Sequence, residues 1–174
     1  MNAAIFYGPN NIQIKDISIN DDLKGNNDEH YLLKVLSCSV CSYDVRTFRN
    51  GSFKVTPPRI LGHEICAETI EHYKGKDISI KPQTRVCIYP VVPCTNCWYC
   101  HNKKFNMCTN LKEIGSTVNG GFAEYIIVPK KIFDIRGIVP VADNISNEEA
   151  SLIEPLACCI NGINQVKDLE FDSL

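Results

Sequence analysis

The sequence predicts a mainly β domain, built as a closed or nearly closed β-barrel, with a cysteine-rich lobe and short helices at its C-terminal end. Three observations support this prediction. Short apolar, β-branched runs separated by turn residues extend to about residue 140. Four cysteines fall between Cys94 and Cys108, and the sequence becomes helical in character only after Asp143. The barrel is therefore expected to occupy most of the chain, with the helices following it.

The strands are predicted from apolar segments rich in β-branched residues. The first is followed by Asn20-Asp21-Asp22, a cluster typical of turns. Pro90 and Pro129 stop two later strands, because proline has no N–H to donate to a β-ladder. The predicted strands cover residues 12–19, 31–40, 65–73, 85–89 and 122–128.

The helices are predicted from capping residues. Ser146 followed by Glu149 fits a capping box, in which serine accepts an amide bond at the start of a helix. Pro155 must lie in the first turn of a new helix or at a kink, since an interior position needs an N–H. A second helical stretch is expected over residues 156–166. A further element begins at residues 169–174, so we expect this chain to be part of a longer protein.

Composition excludes several classes of function. The 174 residues are 44% hydrophobic and 22% charged, which is typical of an ordinary globular domain. A net charge of -2 gives no reason to expect a nucleic-acid partner, and no apolar run approaches the length of a membrane span. The N-terminal residues lack the pattern of a secretory signal. We therefore expect a cytoplasmic protein with neither nucleic-acid nor membrane partners.

Cys94, Cys97, Cys100 and Cys108 follow the spacing C-x2-C-x2-C-x7-C. Four thiolates so close in sequence suit tetrahedral Zn²⁺, and a site with four protein ligands has no position for substrate. In a chain without a secretory signal, metal binding is favoured over a disulfide framework for its ten cysteines. The alternatives are an iron–sulfur cluster, a rubredoxin-like iron site, and chance spacing. His101 lies within this cluster and is expected to be an exposed histidine.

Spacing alone does not distinguish a second group of candidate metal ligands from ordinary core and surface positions. Cys41, His63 and Glu154 offer a thiolate, an imidazole and a carboxylate, which together would make an open zinc site. A lone histidine is more often a core or surface residue, and Glu64 and Glu154 can be ordinary charged positions. Cys41 can equally be a small core residue. The same core assignment is expected for Cys38, Cys66, Cys87, Cys158 and Cys159.

The order and separation of several motifs resemble the zinc-dependent medium-chain dehydrogenases, and within them the sorbitol (polyol) and threonine dehydrogenase group. No single motif establishes this resemblance, but together they run through nearly the whole chain. The motifs are Cys41-Ser42-Tyr43-Asp44, Ile60-Leu61-Gly62-His63-Glu64, the four-cysteine cluster, Gly120-Gly121-Phe122-Ala123-Glu124-Tyr125, and Glu154-Pro155-Leu156-Ala157.

The resemblance implies a GroES-like catalytic domain and a set of zinc ligands. It implies that Cys41 and His63 bind catalytic zinc. The third ligand is implied to be Glu64 or Glu154, with Glu64 slightly favoured as the adjacent residue in the motif. Asp44 matches an aspartate that orients the zinc-binding histidine.

The resemblance also implies a division of the chain and a set of partners. Residues 1–154 would form the catalytic domain, and residues 155–174 a connecting helix and the start of a Rossmann domain that binds NAD or NADP. No G-x-G-x-x-G segment occurs in the sequence, so we expect these 174 residues to be inactive alone. Family members are commonly dimers or tetramers, which implies a homo-oligomer for the longer protein.

The implied reaction is the oxidation of a small secondary alcohol, a polyol or a related compound, to a ketone. Zinc would act as a Lewis acid, and hydride would pass to the nicotinamide cofactor. Tyr43 stands where the family usually has serine or threonine as the first proton-relay group, so either the pocket or the relay is expected to differ. The alternative function is a non-enzymatic zinc module that uses the four-cysteine cluster for protein contacts.

Overall fold

The computed structural model describes residues 1–19, 30–74 and 79–166. Its strands are β1 (Asn2–Gly8), β2 (Asn11–Asp16), β3 (His30–Ser39), β4 (Arg59–Ile60), β5 (Glu64–Thr69), β6 (Tyr73–Lys74), β7 (Ser79–Ile80), β8 (Arg85–Ile88), β9 (Val91–Val92), β10 (Lys112–Glu113), β11 (Tyr125–Pro129) and β12 (Ile138–Pro140). Its helices are α1 (Ser42–Asn50), α2 (Trp98–His101), α3 (Lys130–Asp134), α4 (Asn147–Ser151) and α5 (Ile153–Val166), with a 3₁₀ turn at Phe105–Met107.

Antiparallel sheets dominate the described residues, which confirms the predicted mainly β fold. A five-stranded sheet has the order β11-β3-β5-β8-β12, and a three-stranded sheet has the order β2-β1-β4. The two sheets are joined where the Ala4 N–H donates to the Phe122 carbonyl at 2.8 Å and the Val35 N–H donates to the Glu124 carbonyl at 2.9 Å. The ribbons β9-β10 and β6-β7 complete the described strands.

The main core lies on the five-stranded sheet beneath α3. Tyr73 and Phe133 stack with ring centroids 3.6 Å apart, and Phe133 is fully buried. Ile132, also in α3, is equally buried against aliphatic side chains of the central strands. Burial of apolar side chains is the main force stabilising this arrangement. Those aliphatic residues are Leu33, Ile65, Ala67, Val86, Ile88, Ile126 and Val128.

The register between β3 and β5 brings the end of one strand beside the start of the other. Ser39 pairs with Glu64 and Cys38 pairs with Ile65. Cys41 follows β3 by two residues, and His63 immediately precedes β5. The two predicted motifs are therefore neighbours in space because these strands are hydrogen-bonded in this register.

The predicted strands lie at the same positions in the chain as observed strands, but their first and last residues differ. The segments 31–40 and 85–89 correspond closely to β3 and β8, whereas the segment 65–73 divides into β5 and the start of β6. β2 ends at Asp16, and the predicted turn at residues 20–22 lies outside the described residues. In place of the predicted segment 122–128, strand β11 begins only at Tyr125 and extends to Pro129.

Several described elements were not predicted: the short strands β4, β7, β9, β10 and β12, the lobe helix α2, and also β1, α1 and α3. β1 contains two alanines and begins at the second residue, so it lacks the β-branched pattern used to find strands. Helix α1 begins after Cys41, and cysteine is not among the preferred N-cap residues. Helix α3 spans only five residues, which is too short to show helical periodicity.

The C-terminal helices confirm the predicted capping box. The Ser146 N–H donates to Glu149 Oε2 at 2.8 Å, and the Glu149 N–H donates to Ser146 Oγ at 3.1 Å. Helix α5 begins at Ile153, three residues earlier than expected, with Pro155 in its first turn as required. The element predicted at residues 169–174 lies outside the described residues. None of the helices in the described ranges is long and apolar enough to cross a membrane.

Candidate metal centres

The four-cysteine lobe is the loop that connects β9 to β10. Cys97 Sγ lies 3.5 Å from Cys100 Sγ and 3.9 Å from Cys108 Sγ, and Cys94 Sγ lies 3.9 Å from Cys100 Sγ. A tetrahedral site with Zn–S bonds of about 2.3 Å requires sulfur–sulfur separations of about 3.8 Å. The four sulfurs therefore already have the spacing of a tetrahedral four-thiolate zinc site.

Backbone donors and burial act in opposite directions on the lobe thiols. Hydrogen bonds from the backbone at Thr109 and Cys100 lower the pKa of Cys97 to about 5. Burial, by contrast, raises the pKa of Cys100 to about 12. A divalent cation among these sulfurs would offset the cost of a buried thiolate at Cys100, because a coordinating thiol is deprotonated by the metal.

Disulfide bonding does not explain the lobe. All ten cysteines of the chain lie in described segments, and all are free thiols. The separation of 3.5 Å between Cys97 and Cys100 is far longer than a disulfide bond of about 2.05 Å. His101 is exposed at the end of α2 and lies outside the four-sulfur group, as expected.

Cys41 and Asp44 form the N-terminal cap of α1. The Tyr43 N–H donates to Cys41 Sγ at 3.4 Å, so the sulfur occupies the place of the usual serine or aspartate oxygen. Asp44 Oδ2 in turn accepts from the Cys41 N–H at 3.1 Å. The cap therefore fixes the sulfur of Cys41 at the positive end of the helix dipole, where a negative charge is stabilised.

Asp44 also connects this cap to the residues before β5. Its Oδ1 accepts from the Gly62 N–H at 3.3 Å and lies 3.7 Å from His63 Nδ1. Asp44 is only 3% exposed. Burial raises the pKa of its carboxyl group, while the charge of His63 and the backbone N–H groups of Cys41 and Gly62 lower it. This carboxyl group thus links α1 to the His63 segment.

The structure brings together Cys41, His63 and Glu64. Their candidate ligand atoms all lie within 4.8 Å of one another. Glu64 is buried, at 5% exposure, which requires a compensating partner for an ionised carboxylate. Thiolate, imidazole and carboxylate groups are all ordinary zinc ligands, so this donor set fits the ion implied by the family resemblance.

A pocket of about 260 Å³ opens beside this group. Its lining includes Glu154, from the first turn of α5, but Glu154 is not among the three residues whose ligand atoms converge. The Glu154 carboxylate instead accepts a hydrogen bond from Cys158 Sγ at 3.4 Å. Tyr43 also lines the pocket, and its hydroxyl lies 2.9 Å from Ser52 Oγ. The full lining is Tyr43, Lys54, His63, Pro90, Val91, Glu113, Ile114, Ser116 and Glu154.

The other cysteines correspond only in part to the expected core residues. Cys66 and Cys87 are buried, and burial raises the pKa of Cys87 to about 11. Cys38 is half-buried. The core assignment is wrong for Cys158 and Cys159, which are exposed, because every described residue of α5 after Pro155 lies on the surface.

Sequence reasoning missed three polar residues that line the pocket: Lys54, Glu113 and Ser116. Lys54 follows α1, Glu113 belongs to β10 and Ser116 comes after β10, and the paired residues Lys54 and Glu113 are 59 residues apart in the sequence. Ser52, the neighbour of the Tyr43 hydroxyl, was also missed. No motif connects these segments, so only their approach in the fold could have revealed them.

The fold and the two donor groups define a metal-binding β domain, and comparison with known proteins identifies its family. The family model of the alcohol dehydrogenase GroES-like domain matches residues 27–137. The chain belongs to this family, which confirms the resemblance found in the sequence.

Curated relatives are alcohol and polyol dehydrogenases. The chain is 32% identical over 166 residues to L-galactonate-5-dehydrogenase of Escherichia coli, covering 95% of this chain and 45% of the relative. It is also 32% identical over 171 residues to sorbitol dehydrogenase of Bacillus subtilis, covering 96% and 46%. The chain thus spans less than half the length of these relatives.

A solved structure agrees with this assignment. A putative zinc-binding dehydrogenase from Sinorhizobium meliloti, bound to NADP, superimposes with a TM-score of 0.76 and is 30% identical. The match covers 94% of this chain and 45% of that protein.

Proposed function

We propose that this chain is the zinc-binding catalytic part of a dehydrogenase that transfers hydride between a small secondary alcohol and NAD or NADP. The observation that carries the proposal is the convergence of Cys41, His63 and Glu64 within 4.8 Å of one another. The adjoining pocket of about 260 Å³ has room for a small molecule. A closed four-cysteine site alone would not explain either feature.

In this proposal Cys41, His63 and Glu64 hold catalytic zinc. Glu154 lines the same pocket and is the alternative third ligand, although the distances favour Glu64. Zinc bound there supplies Lewis acidity toward an alcohol oxygen. Asp44 positions His63 through its carboxylate, as carboxylates beside ligating histidines commonly do.

The proton released by the alcohol needs an acceptor within the pocket. Tyr43 lines the pocket, and its hydroxyl lies 2.9 Å from Ser52 Oγ. We assign Tyr43 Oη as the first group of a relay, which would take up this proton while passing its own to Ser52 Oγ; the half-buried Ser52 would pass its hydroxyl proton on to water. A tyrosine hydroxyl can both accept and donate, which a relay requires.

The four-cysteine lobe would hold a second, structural zinc. β9 and β10 flank the lobe, and Val91 and Glu113 of these strands line the pocket. Closing the lobe around a metal therefore also fixes part of the pocket wall. Val91 and Glu113 would then keep their places beside His63 whenever the lobe is closed.

The nicotinamide cofactor is inferred from the relatives and from the reaction. The Sinorhizobium meliloti protein is bound to NADP. These 174 residues contain no G-x-G-x-x-G segment, so we expect no NAD-dependent or NADP-dependent oxidation by this chain alone.

The domain division at residues 154 and 155 falls in the first turn of α5 and stays a prediction. The proposal includes a cytoplasmic location, which the ten free thiols support, and a homo-oligomeric longer protein.

Metal content tests the proposal. Elemental analysis of the purified protein should give two zinc ions per chain, and His63→Ala should remove one of them while leaving the other. The alternative function, a zinc module that only makes protein contacts, requires one zinc and no effect of His63→Ala. Iron, or no metal in protein that is still folded, would overturn both zinc assignments.

A further inference from the structure

An ion pair closes the pocket on the side where Glu113 lies. Lys54 Nζ is 2.9 Å from Glu113 Oε2, and both residues line the pocket. Their side chains are 43% and 31% exposed, so water can reach them but the pair is partly sheltered. The pair joins the segment after α1 to β10. It therefore forms a charged boundary to the space beside His63.

Hydroxyl groups extend this boundary on both sides. Ser116 Oγ donates to Glu113 Oε2 at 3.4 Å. Ser52 Oγ accepts from the Lys54 N–H at 3.3 Å and lies 2.9 Å from the Tyr43 hydroxyl. These hydrogen-bonded groups form one polar wall of a pocket whose lining also includes the apolar residues Pro90, Val91 and Ile114. A polar wall of this kind can hydrogen-bond several hydroxyl groups of a substrate, which a wholly apolar pocket cannot do.

The charged groups on this polar wall affect whether a neutral or an anionic substrate binds more favourably. Glu113 neutralises Lys54, and Glu154 adds a further carboxylate to the lining. A hydroxyl group can accept from the Lys54 ammonium and donate to the Glu113 carboxylate while the pair stays intact, because both groups have spare hydrogen-bonding positions. An anionic group could use the same free position on Lys54, but Glu113 already neutralises the ammonium, and the carboxylates of Glu113 and Glu154 would repel a second anion.

We propose that the Lys54–Glu113 pair makes this pocket select uncharged polyhydroxy alcohols over analogues that carry a phosphate or carboxylate. This inference rests on the proposed function, because it assigns the substrate class of the same pocket. The relatives do not decide the question. A sorbitol dehydrogenase and an L-galactonate-5-dehydrogenase are both 32% identical to this chain, and only the first is named for an uncharged polyol.

The test compares two matched probes, sorbitol and sorbitol 6-phosphate, on the zinc-loaded protein. Binding is followed by the amide chemical shifts of Glu113, Ser116 and Val118 in a ¹⁵N-labelled sample, which also detects weak affinity. We expect the wild-type protein to bind sorbitol more tightly. Glu113→Gln should improve the affinity for sorbitol 6-phosphate by about threefold to tenfold, the range for a partly exposed charge pair, and change that for sorbitol much less.

A charge swap provides the matched control. The double variant Lys54→Glu with Glu113→Lys restores an ion pair with its polarity reversed, so the preference for sorbitol should return toward that of the wild type. The gain in Glu113→Gln should also shrink as salt is raised, because the freed ammonium acts by charge.

Three outcomes would count against the inference. An unchanged preference in Glu113→Gln would show that the pair does not select the substrate. A swap variant that binds like Glu113→Gln would show that pairing is not the cause. If neither probe shifts these amides in the wild-type protein, the pocket is not a polyol site, and that part of the proposed function fails with the inference.

Discussion

The two candidate metal-ligand groups differ in how the chain assembles them. The four sulfurs of the lobe come from fifteen consecutive positions, Cys94 to Cys108, and share one chemistry. Cys41, His63 and Glu64 have three chemistries and come from two segments separated by more than twenty residues. The lobe is a local structure, whereas the second group exists only because β3 and β5 pair in one register.

Because of this difference, the geometry of each group depends on different residues. The lobe depends on its own sulfurs and on nearby backbone donors, such as the Cys94 N–H that lies 3.2 Å from Cys108 Sγ. The second group depends on residues that bind no metal. Asp44 joins the cap of α1 to the Gly62 N–H. A substitution near the pairing of β3 and β5 should therefore disturb the second group and leave the lobe intact.

The largest expected effect is loss of the lobe metal on replacing one of its sulfurs. Cys97→Ser should lower the zinc content by one ion per chain, because a structural zinc site contributes on the order of 10 kcal/mol that also folds its loop. The amide shifts of Val91 and Glu113, which flank the lobe in the pocket wall, should change as well. Elemental analysis and NMR spectra measure these effects.

Cys159→Ser is the control for that experiment, since Cys159 is an exposed thiol on α5 outside the four-sulfur group. It should retain the full zinc content. A Cys97→Ser protein that still holds both zinc ions would show that the lobe does not need all four sulfurs.

Gly62→Ala should weaken the group that contains His63, through backbone strain, without affecting the four-cysteine lobe. Gly62 has φ +90, and an added Cβ would lie 2.8 Å from both Cys38 Sγ and Phe122 Cδ1. We expect the free energy of unfolding to fall by roughly 1–3 kcal/mol, as for other overpacked or strained positions. The zinc held beside His63 should bind more weakly while the lobe zinc is kept. Urea unfolding and zinc analysis measure the two effects.

Gly162→Ala is the matched glycine control. Gly162 lies within α5, and a Cβ there would meet no atom within 4 Å. Alanine should raise helix stability by about 0.5–1 kcal/mol and leave both zinc sites unchanged. Equal effects of the two substitutions would contradict the role given to Gly62.

The smallest expected effect concerns the charge of Asp44. Asp44→Asn keeps the shape of the side chain but removes the negative charge 3.7 Å from His63 Nδ1. Zinc affinity at the second group should fall about 10-fold to 100-fold, as for other carboxylates that support ligating histidines. Competition with a chelating dye measures this change, and the lobe affinity should stay constant.

Glu149→Gln supplies the comparison for Asp44, because Glu149 has the same capping-box position in α4. It should perturb only the start of that helix. If Asp44→Asn and Glu149→Gln have the same small effect on zinc affinity, Asp44 acts as a helix cap alone.

Much of this molecule was predictable wherever the signal was local. The capping box at Ser146 and Glu149, the placement of Pro155 in a first turn and the four-cysteine cluster each depend on residues within one short segment. Helix α1 was missed because a thiol replaces the usual capping oxygen at Cys41. Cys158 and Cys159 were misplaced because burial depends on what packs against a helix, which composition does not reveal.

The sequence by itself determined the mainly β class, the lobe and its chemistry, since spacing within a loop dictates which sulfurs can meet. Its motifs also led to the alcohol dehydrogenase GroES-like family, which the comparison confirmed. Only the tertiary structure decided that Glu64 rather than Glu154 lies with Cys41 and His63. The tertiary structure alone placed Lys54 against Glu113. The distance between segments that are far apart in sequence depends on strand pairing and packing, and a local sequence pattern carries no information about either.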